Sequence, residues 1–269
     1  MSARNLPAGN GITWLTEAVN LVLKNPAAFF LMGLIVTVIG TLPILGSLVL
    51  MVISPALYGG IAWAARAQAR GETAELAQLF QGFKEDGRIG PLLILCLPGV
   101  VAGFIAGVLI VIWVAVALAG AGVSAVLERP EALLGAAGAG AVLLGLVVVA
   151  LMLVVFAVTF LAVPDVMFGE RDAFVAMRRS LHGCRDNFGA MLVYLLVMAC
   201  AAILLMAILS MISSLLGQFI TSILITPIGG ASMYLAWQDV LGEAVTKEAP
   251  ALPGNEPTDP PQDGGGMVA

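Results

Sequence analysis

Residues 55–64 read Pro55-Ala56-Leu57-Tyr58-Gly59-Gly60-Ile61-Ala62-Trp63-Ala64, and the frame of that stretch recurs twice. Pro164, Gly169 and Ala173 repeat it, and so do Pro227, Ser232 and Ala236. Each copy sets a small residue five places after a proline and an alanine nine places after it. Each proline closes or interrupts a long apolar run, and the runs come in pairs. The pattern predicts an all-α chain in which one membrane hairpin is repeated three times.

Working outward, residues 27–65, 89–127, 132–164 and 188–238 contain no Asp, Glu, Lys or Arg. A helix crosses the hydrocarbon core with about 20 apolar residues. The first and last stretches are each long enough for two spans and the middle two for one each, so six spans are expected. The whole chain is 60% hydrophobic and 11% charged, against about 25% charged in soluble domains; a single water-soluble globule is excluded. No cleavable secretion signal is expected, and the first span would act as an uncleaved insertion signal.

Three connecting segments show helical periodicity with one apolar face. Gly11 to Lys24 carries Ile12, Leu15, Val19 and Val22 at that spacing, Glu75 to Lys84 carries Leu76, Leu79, Phe80 and Phe83, and Asp172 to Asp186 carries Phe174, Met177, Leu181 and Cys184. Each reads as an amphipathic helix lying in the interface. Asn25-Pro26, Gly90-Pro91 and Asn187 then open the spans, with Asn25 and Asn187 expected as helix caps. The organisation is a flexible lead (1–10), a single membrane domain (11–248) and a tail (249–269). The hairpins cover about 11–70, 75–170 and 172–245. The tail, with Glu256, Asp259, Asp263 and five prolines, has too little apolar surface to fold. Whether Leu134 to Ala141, rich in Gly and Ala, enters the membrane is left open by its composition.

Eleven bases, from Arg4 and Lys24 through Arg179 and Arg185 to Lys247, fall on one side of this topology, and Arg129 alone falls on the other. That asymmetry predicts cytoplasmic termini. Trp63 and Trp237 stand near the inner ends of spans two and six, at headgroup level. The connectors are nearly balanced in charge: Arg66, Arg70, Lys84 and Arg88 meet Glu72, Glu75, Glu85 and Asp86. No basic patch argues for nucleic acid, and strong attraction to anionic lipid is not expected.

An intramembrane ion usually marks a pathway or relay, and Asp165 is the one acid whose depth is ambiguous. Pro55, Pro98 and Pro227 should each kink a helix; with Asp165, Pro55 and Pro227 form the candidate pathway set. Gly99, Gly103 and Gly107 stand four apart on one face, which suits close helix packing within the chain or between copies. One histidine, His182, near Cys184 cannot make a metal site. No phosphate loop, nucleophile elbow or acid–base constellation is present, so no enzymatic activity and no cofactor are expected. Three scattered cysteines predict free thiols.

The series Leu6-Pro7, Gly9, Trp14, Asn25-Pro26, Pro43, Ser54-Pro55, Gly59-Gly60, Arg70-Gly71 and Leu79-Phe80-Gln81-Gly82-Phe83 resembles an uncharacterised family of bacterial six-span inner-membrane proteins. In outline the resemblance covers residues 6 to 245. The organisation is also similar to the membrane domain of some glycerophosphodiester phosphodiesterases, without their catalytic domain. The resemblance implies a bacterial inner-membrane location and six helices, and it carries no catalytic residue. The expected function is a non-enzymatic accessory or envelope-organising protein in the lipid bilayer, with a protein partner or a second copy. The alternative is a transporter or channel for a small or amphipathic solute.

Overall fold

The computed structural model describes residues 4–43, 45–121 and 131–242. The loop around Arg129 and the tail from 249 lie outside the described residues. Every regular element among the described residues is helical. Five helices are long and apolar enough to cross a membrane, or up to six if one bent pair counts as a single span. This fits a multi-pass membrane protein.

The bent pair is α1 (Asn10–Lys24) and α2 (Pro26–Thr41), which meet at 105°. Pro26 has no N–H with which to continue α1, and its ring drives the residue before it out of the α region. Asn25 accordingly sits at φ −141°, ψ 67°. The expected capping bond is absent. Asn25 instead donates Nδ2 to the Ala74 carbonyl at 2.7 Å, using the bend to hold a segment 49 residues away. With 16 residues, α2 rises about 24 Å, short of the roughly 30 Å hydrocarbon core.

Helix α3 (Leu45–Ala69) runs unbroken through Pro55. Where a single helix from Glu75 to Lys84 is expected, a 3-10 turn (Leu76–Phe80) leads into the one-turn helix α4 (Gln81–Lys84). Glu75 and Gln78 form a reciprocal capping box there. Helices α5 (Ile89–Ile94) and α6 (Leu97–Ala121) follow. Next come α7 (Glu131–Thr159), with a non-helical Gly138 at φ 33°, and α8 (Ala162–Gly169). The breaks before α6 and α8 share a cause. A proline ring collides with the carbonyl four residues back; for Pro98 that is Ile94, where α5 ends, and for Pro164 it is Phe160, just past the end of α7. Pro98 thus interrupts the candidate span Ile89–Ala119 and Pro164 the span Gly140–Gly169, whereas α3 and α11 run on through Pro55 and Pro227.

Helix α9 (Ala173–Asp186) begins at Asp172, whose carboxylate accepts the Phe174 N–H at 3.1 Å. Helices α10 (Phe188–Ser210) and α11 (Ser214–Val240) complete the chain, and α11 continues through Pro227. A Cβ on Gly33 would lie 2.2 Å from the Ile223 carbonyl, the one that Pro227 leaves without its helical donor. Only a glycine lets α2 close over that exposed backbone.

The buried faces of the connecting helices differ from those expected. α1 buries Trp14, Leu15, Ala18, Leu21 and Val22, while Ile12 is 48% exposed. α9 turns Ala173, Ala176, Ser180, Gly183 and Cys184 inward and leaves Phe174 and Leu181 outside. Small residues win the inner face of α9, and Gly11 does the same at one point of α1, where a neighbouring element approaches too closely for a larger side chain. A Cβ on Gly11 would meet the Ala190 carbonyl at 2.2 Å, and one on Gly183 would touch Leu161 and Val240 at 3.0 Å.

Packing runs in a cycle. The 76–84 segment packs on α3, α9 packs on α7 and α8, and α1 packs on α10 and α11. Three polar clasps follow the same order. Asn25 holds Ala74; Arg88 bridges Glu170 at 3.0 Å and donates to the Val166 carbonyl at 3.2 Å; Asn187 accepts the Leu6 N–H at 2.8 Å and donates to the Arg4 carbonyl at 2.8 Å. Asn187, like Asn25, makes no capping bond. The Arg4 N–H also reaches the Val240 carbonyl, so the two described ends of the chain meet.

Candidate functional site

Helices α3, α8 and α11 converge at one end of the bundle, and a cavity of about 370 Å³ opens between them. Arg66 enters from the last turn of α3 and Arg70 from just past its end, Asp165 and Phe168 from α8, and Tyr234, Trp237 and Gln238 from α11. Glu170 and Arg171 from the following turn, and Arg179 from α9, complete the polar lining.

Asp165 forms the floor. It is 1% exposed and accepts Arg179 Nη1 at 2.8 Å on both oxygens, with Trp237 Nε1 at 2.9 Å on Oδ1. A carboxylate in so dry a position is tolerable only when paired and hydrogen-bonded. The repeated small residue explains itself here. A Cβ on Gly169 would lie 2.9 Å from Asp165 Oδ1, so the carboxylate occupies the space a side chain would fill. At the matching place in α3, a Cβ on Gly60 would lie 2.0 Å from the Leu79 carbonyl.

Aromatic rings form one wall. Phe168 stacks on Trp63 at 5.8 Å between centroids and meets Trp237 at 5.3 Å and Tyr234 at 5.6 Å. The Arg66 guanidinium lies 4.8 Å from the Phe168 centroid and 5.6 Å from that of Trp63. Such contacts hold the guanidinium by its face and leave its N–H edges free to donate.

Four arginines thus face two carboxylates, and both carboxylates are engaged. Asp165 is taken by Arg179, and Glu170 by Arg88 from outside the cavity. Among the described residues, Arg66, Arg70 and Arg171 have no carboxylate within salt-bridge distance. Of the connector's charges, Arg66 and Arg70 line the cavity, while Glu75 is used in a capping box and Glu85 accepts from Gln81. Glu72 stays near enough to Arg66 to interact with its charge.

The other candidates are placed apart from this site. Pro55 lines a separate, mostly apolar cavity of about 190 Å³ with Ser54, Tyr58 and Met233. Pro227 is buried against Gly33. Gly99 lines the same cavity as Pro55, and a Cβ on Gly99, Gly103 or Gly107 would meet nothing within 4 Å among the described residues, so no close helix contact is seen there. The buried face of α6 is instead Ala102, Ala106 and Ala117, toward α7. Asp239 accepts Trp14 Nε1 at 2.7 Å and ties α11 to α1. His182 is exposed and donates Nδ1 to the Arg178 carbonyl at 2.7 Å. Cys184 is buried, and desolvation pushes its thiol up to about 12 against a weaker opposing bond from Ser180.

The arginines are the residues sequence reasoning missed as a site. Arg66 and Arg70 stand one turn apart at the end of a span, a usable signal, but Arg171 and Arg179 join them only through the fold. No family profile, curated protein or solved structure matches the chain.

Proposed function

We propose that this chain is a membrane protein that recognises an anionic small or amphipathic solute at the cytoplasmic face, the role of a transporter or lipid-handling protein rather than an enzyme. One observation carries this reading: three guanidiniums with no salt bridge among the described residues converge on a cavity whose two acids are each already in one. Arginine forks in a partly desolvated site bind anions far better than scattered surface charges do.

The architecture in this proposal is a ring of three hairpin units, each a connecting amphipathic helix followed by two spans. The cyclic packing and the three clasps support it, since each unit fastens the segment that leads into the next and the third returns to the first. The cavity then lies on the axis where the three second spans meet. The excess of bases and the tryptophans at that end support a cytoplasmic orientation in a bacterial inner membrane, in keeping with the family resemblance.

The accessory, envelope-organising role keeps one observation in its favour. Pro227 is packed against Gly33 and lines neither the arginine cavity nor the cavity beside Pro55. The reading is tested by titrating the purified protein in phosphatidylcholine nanodiscs with sulfate, inorganic phosphate and decyl phosphate. Trp63 and Trp237 fluorescence reports on the site. A saturable change in the wild type that is lost in Arg70→Gln and Arg171→Gln supports anion recognition; no saturable change with any of the three rejects it.

A further inference from the structure

We infer that the axial cavity takes a phosphate monoester carried by an amphiphile of the adjoining leaflet; this rests on the anion-recognition reading above and names its ligand class. Charge comes first. Four guanidiniums against two carboxylates leave two positive charges in the lining. A phosphate monoester near neutral pH carries about −1.5 to −2, whereas a phosphodiester headgroup carries a single negative charge.

Donor geometry comes second. Each cation lining the cavity is an arginine, and none is a lysine. Planar guanidinium forks match the paired oxygens of a phosphate, while an ammonium binds as a point charge. Arg66 is already fixed by the faces of Phe168 and Trp63, so little rotamer entropy remains to be lost when its edge donates. Arg179, held by Asp165 on one side, fixes the floor.

Position and shape come third. The guanidiniums come from the end of α3, the turn after α8 and α9, and share the cavity end of the bundle with Trp63, Tyr234 and Trp237, the ring types that favour headgroup depth. Phe168, Tyr234 and Leu241 give the same cavity an apolar wall. A free inorganic anion has no use for such a wall; the glycerol and first methylenes of a lipid do.

The test is native mass spectrometry of the full chain taken from mixed micelles holding equal amounts of phosphatidate, phosphatidylglycerol and phosphatidylcholine. Expected is retention of phosphatidate over phosphatidylglycerol by about tenfold, equivalent to about 1.4 kcal/mol. Arg70→Gln and Arg171→Gln, both exposed and free of described structural bonds, should each remove most of that preference. Arg178→Gln, outside the cavity on the same helix as Arg179, should leave it intact. If inorganic phosphate gives the fluorescence change while phosphatidate is not preferred, the lipid-borne ligand is overturned and anion recognition stands. Absence of both responses overturns the two together. An equal loss in Arg178→Gln assigns the preference to general surface charge and overturns the cavity as its seat.

Discussion

Arg179 places a single nitrogen, Nη1, 2.8 Å from both carboxylate oxygens of Asp165, and so joins α9 to the end of the span that precedes it. Its other terminal nitrogen, Nη2, reaches the Leu241 carbonyl at 3.5 Å. One guanidinium thereby connects three elements at the floor of the cavity.

Removing the Asp165 charge therefore leaves Arg179 half-buried and without its partner. Asp165→Asn should lower stability by about 1–3 kcal/mol, the range for hydrogen bonds to charged groups. Thermal unfolding in mild detergent measures it. The double variant Asp165→Asn/Arg179→Gln should fall short of the sum of the two single losses, because each single change already breaks the same bond.

The close approach at Gly60 predicts a contrast with the glycines of α6. Gly60→Ala drives a methyl group into the Leu79 carbonyl and should destabilise by about 1–3 kcal/mol or more. Gly103→Ala meets nothing within 4 Å and should stay within about 0.5 kcal/mol. Loss of an oligomer in Gly103→Ala, with the monomer's unfolding unchanged, would reveal that a second copy covers that face.

Asn187 holds the chain's first described residues. Asn187→Ala removes acceptor and donor from Leu6 and Arg4 and should cost about 1–3 kcal/mol. Limited proteolysis should then cut ahead of α1 sooner than in the wild type, while Asn25→Ala should expose the segment around Ala74 instead. The two variants thus separate the clasps.

Burial holds Cys184 protonated, with its thiol pushed up to about 12 from 9.0. The folded state binds this proton more tightly than the unfolded state. The resulting stability is complete below about pH 9 and is lost as pH rises from there toward about 12. Maleimide at pH 7.5 should leave Cys184 unlabelled until the protein is unfolded in dodecyl sulfate. Labelling of the folded protein at the rate of a free thiol would contradict its burial.

Much of the fold was legible because its signals are local. Uninterrupted apolar runs mark the long helices, and Asn25-Pro26 marks the sharpest bend. Helices α1 and α9 form where the period predicts, though with other inward faces than expected, while 75–84 breaks into a 3-10 turn and a one-turn helix. Periodicity ranks residues by hydrophobicity, whereas α9 packs inward by size, setting Ala176 and Gly183 against neighbours and Phe174 outside. The caps failed for a related reason: a local rule assigned the Asn25 and Asn187 side chains to their own helices, and distant backbone claimed them instead.

By itself, then, the sequence determined that this chain is helical, apolar enough to cross a membrane several times, and marked by prolines that small residues follow at a fixed spacing. Those properties follow from hydrophobic burial and backbone chemistry over a few residues. Only the tertiary structure decided that Asp165 is paired, that Gly169 is small to make room for it, and that four arginines spread over more than a hundred positions share one cavity. The arginines meet there because the end of α3, the turn after α8 and the side of α9 converge in the fold, a proximity that no local pattern along the chain encodes.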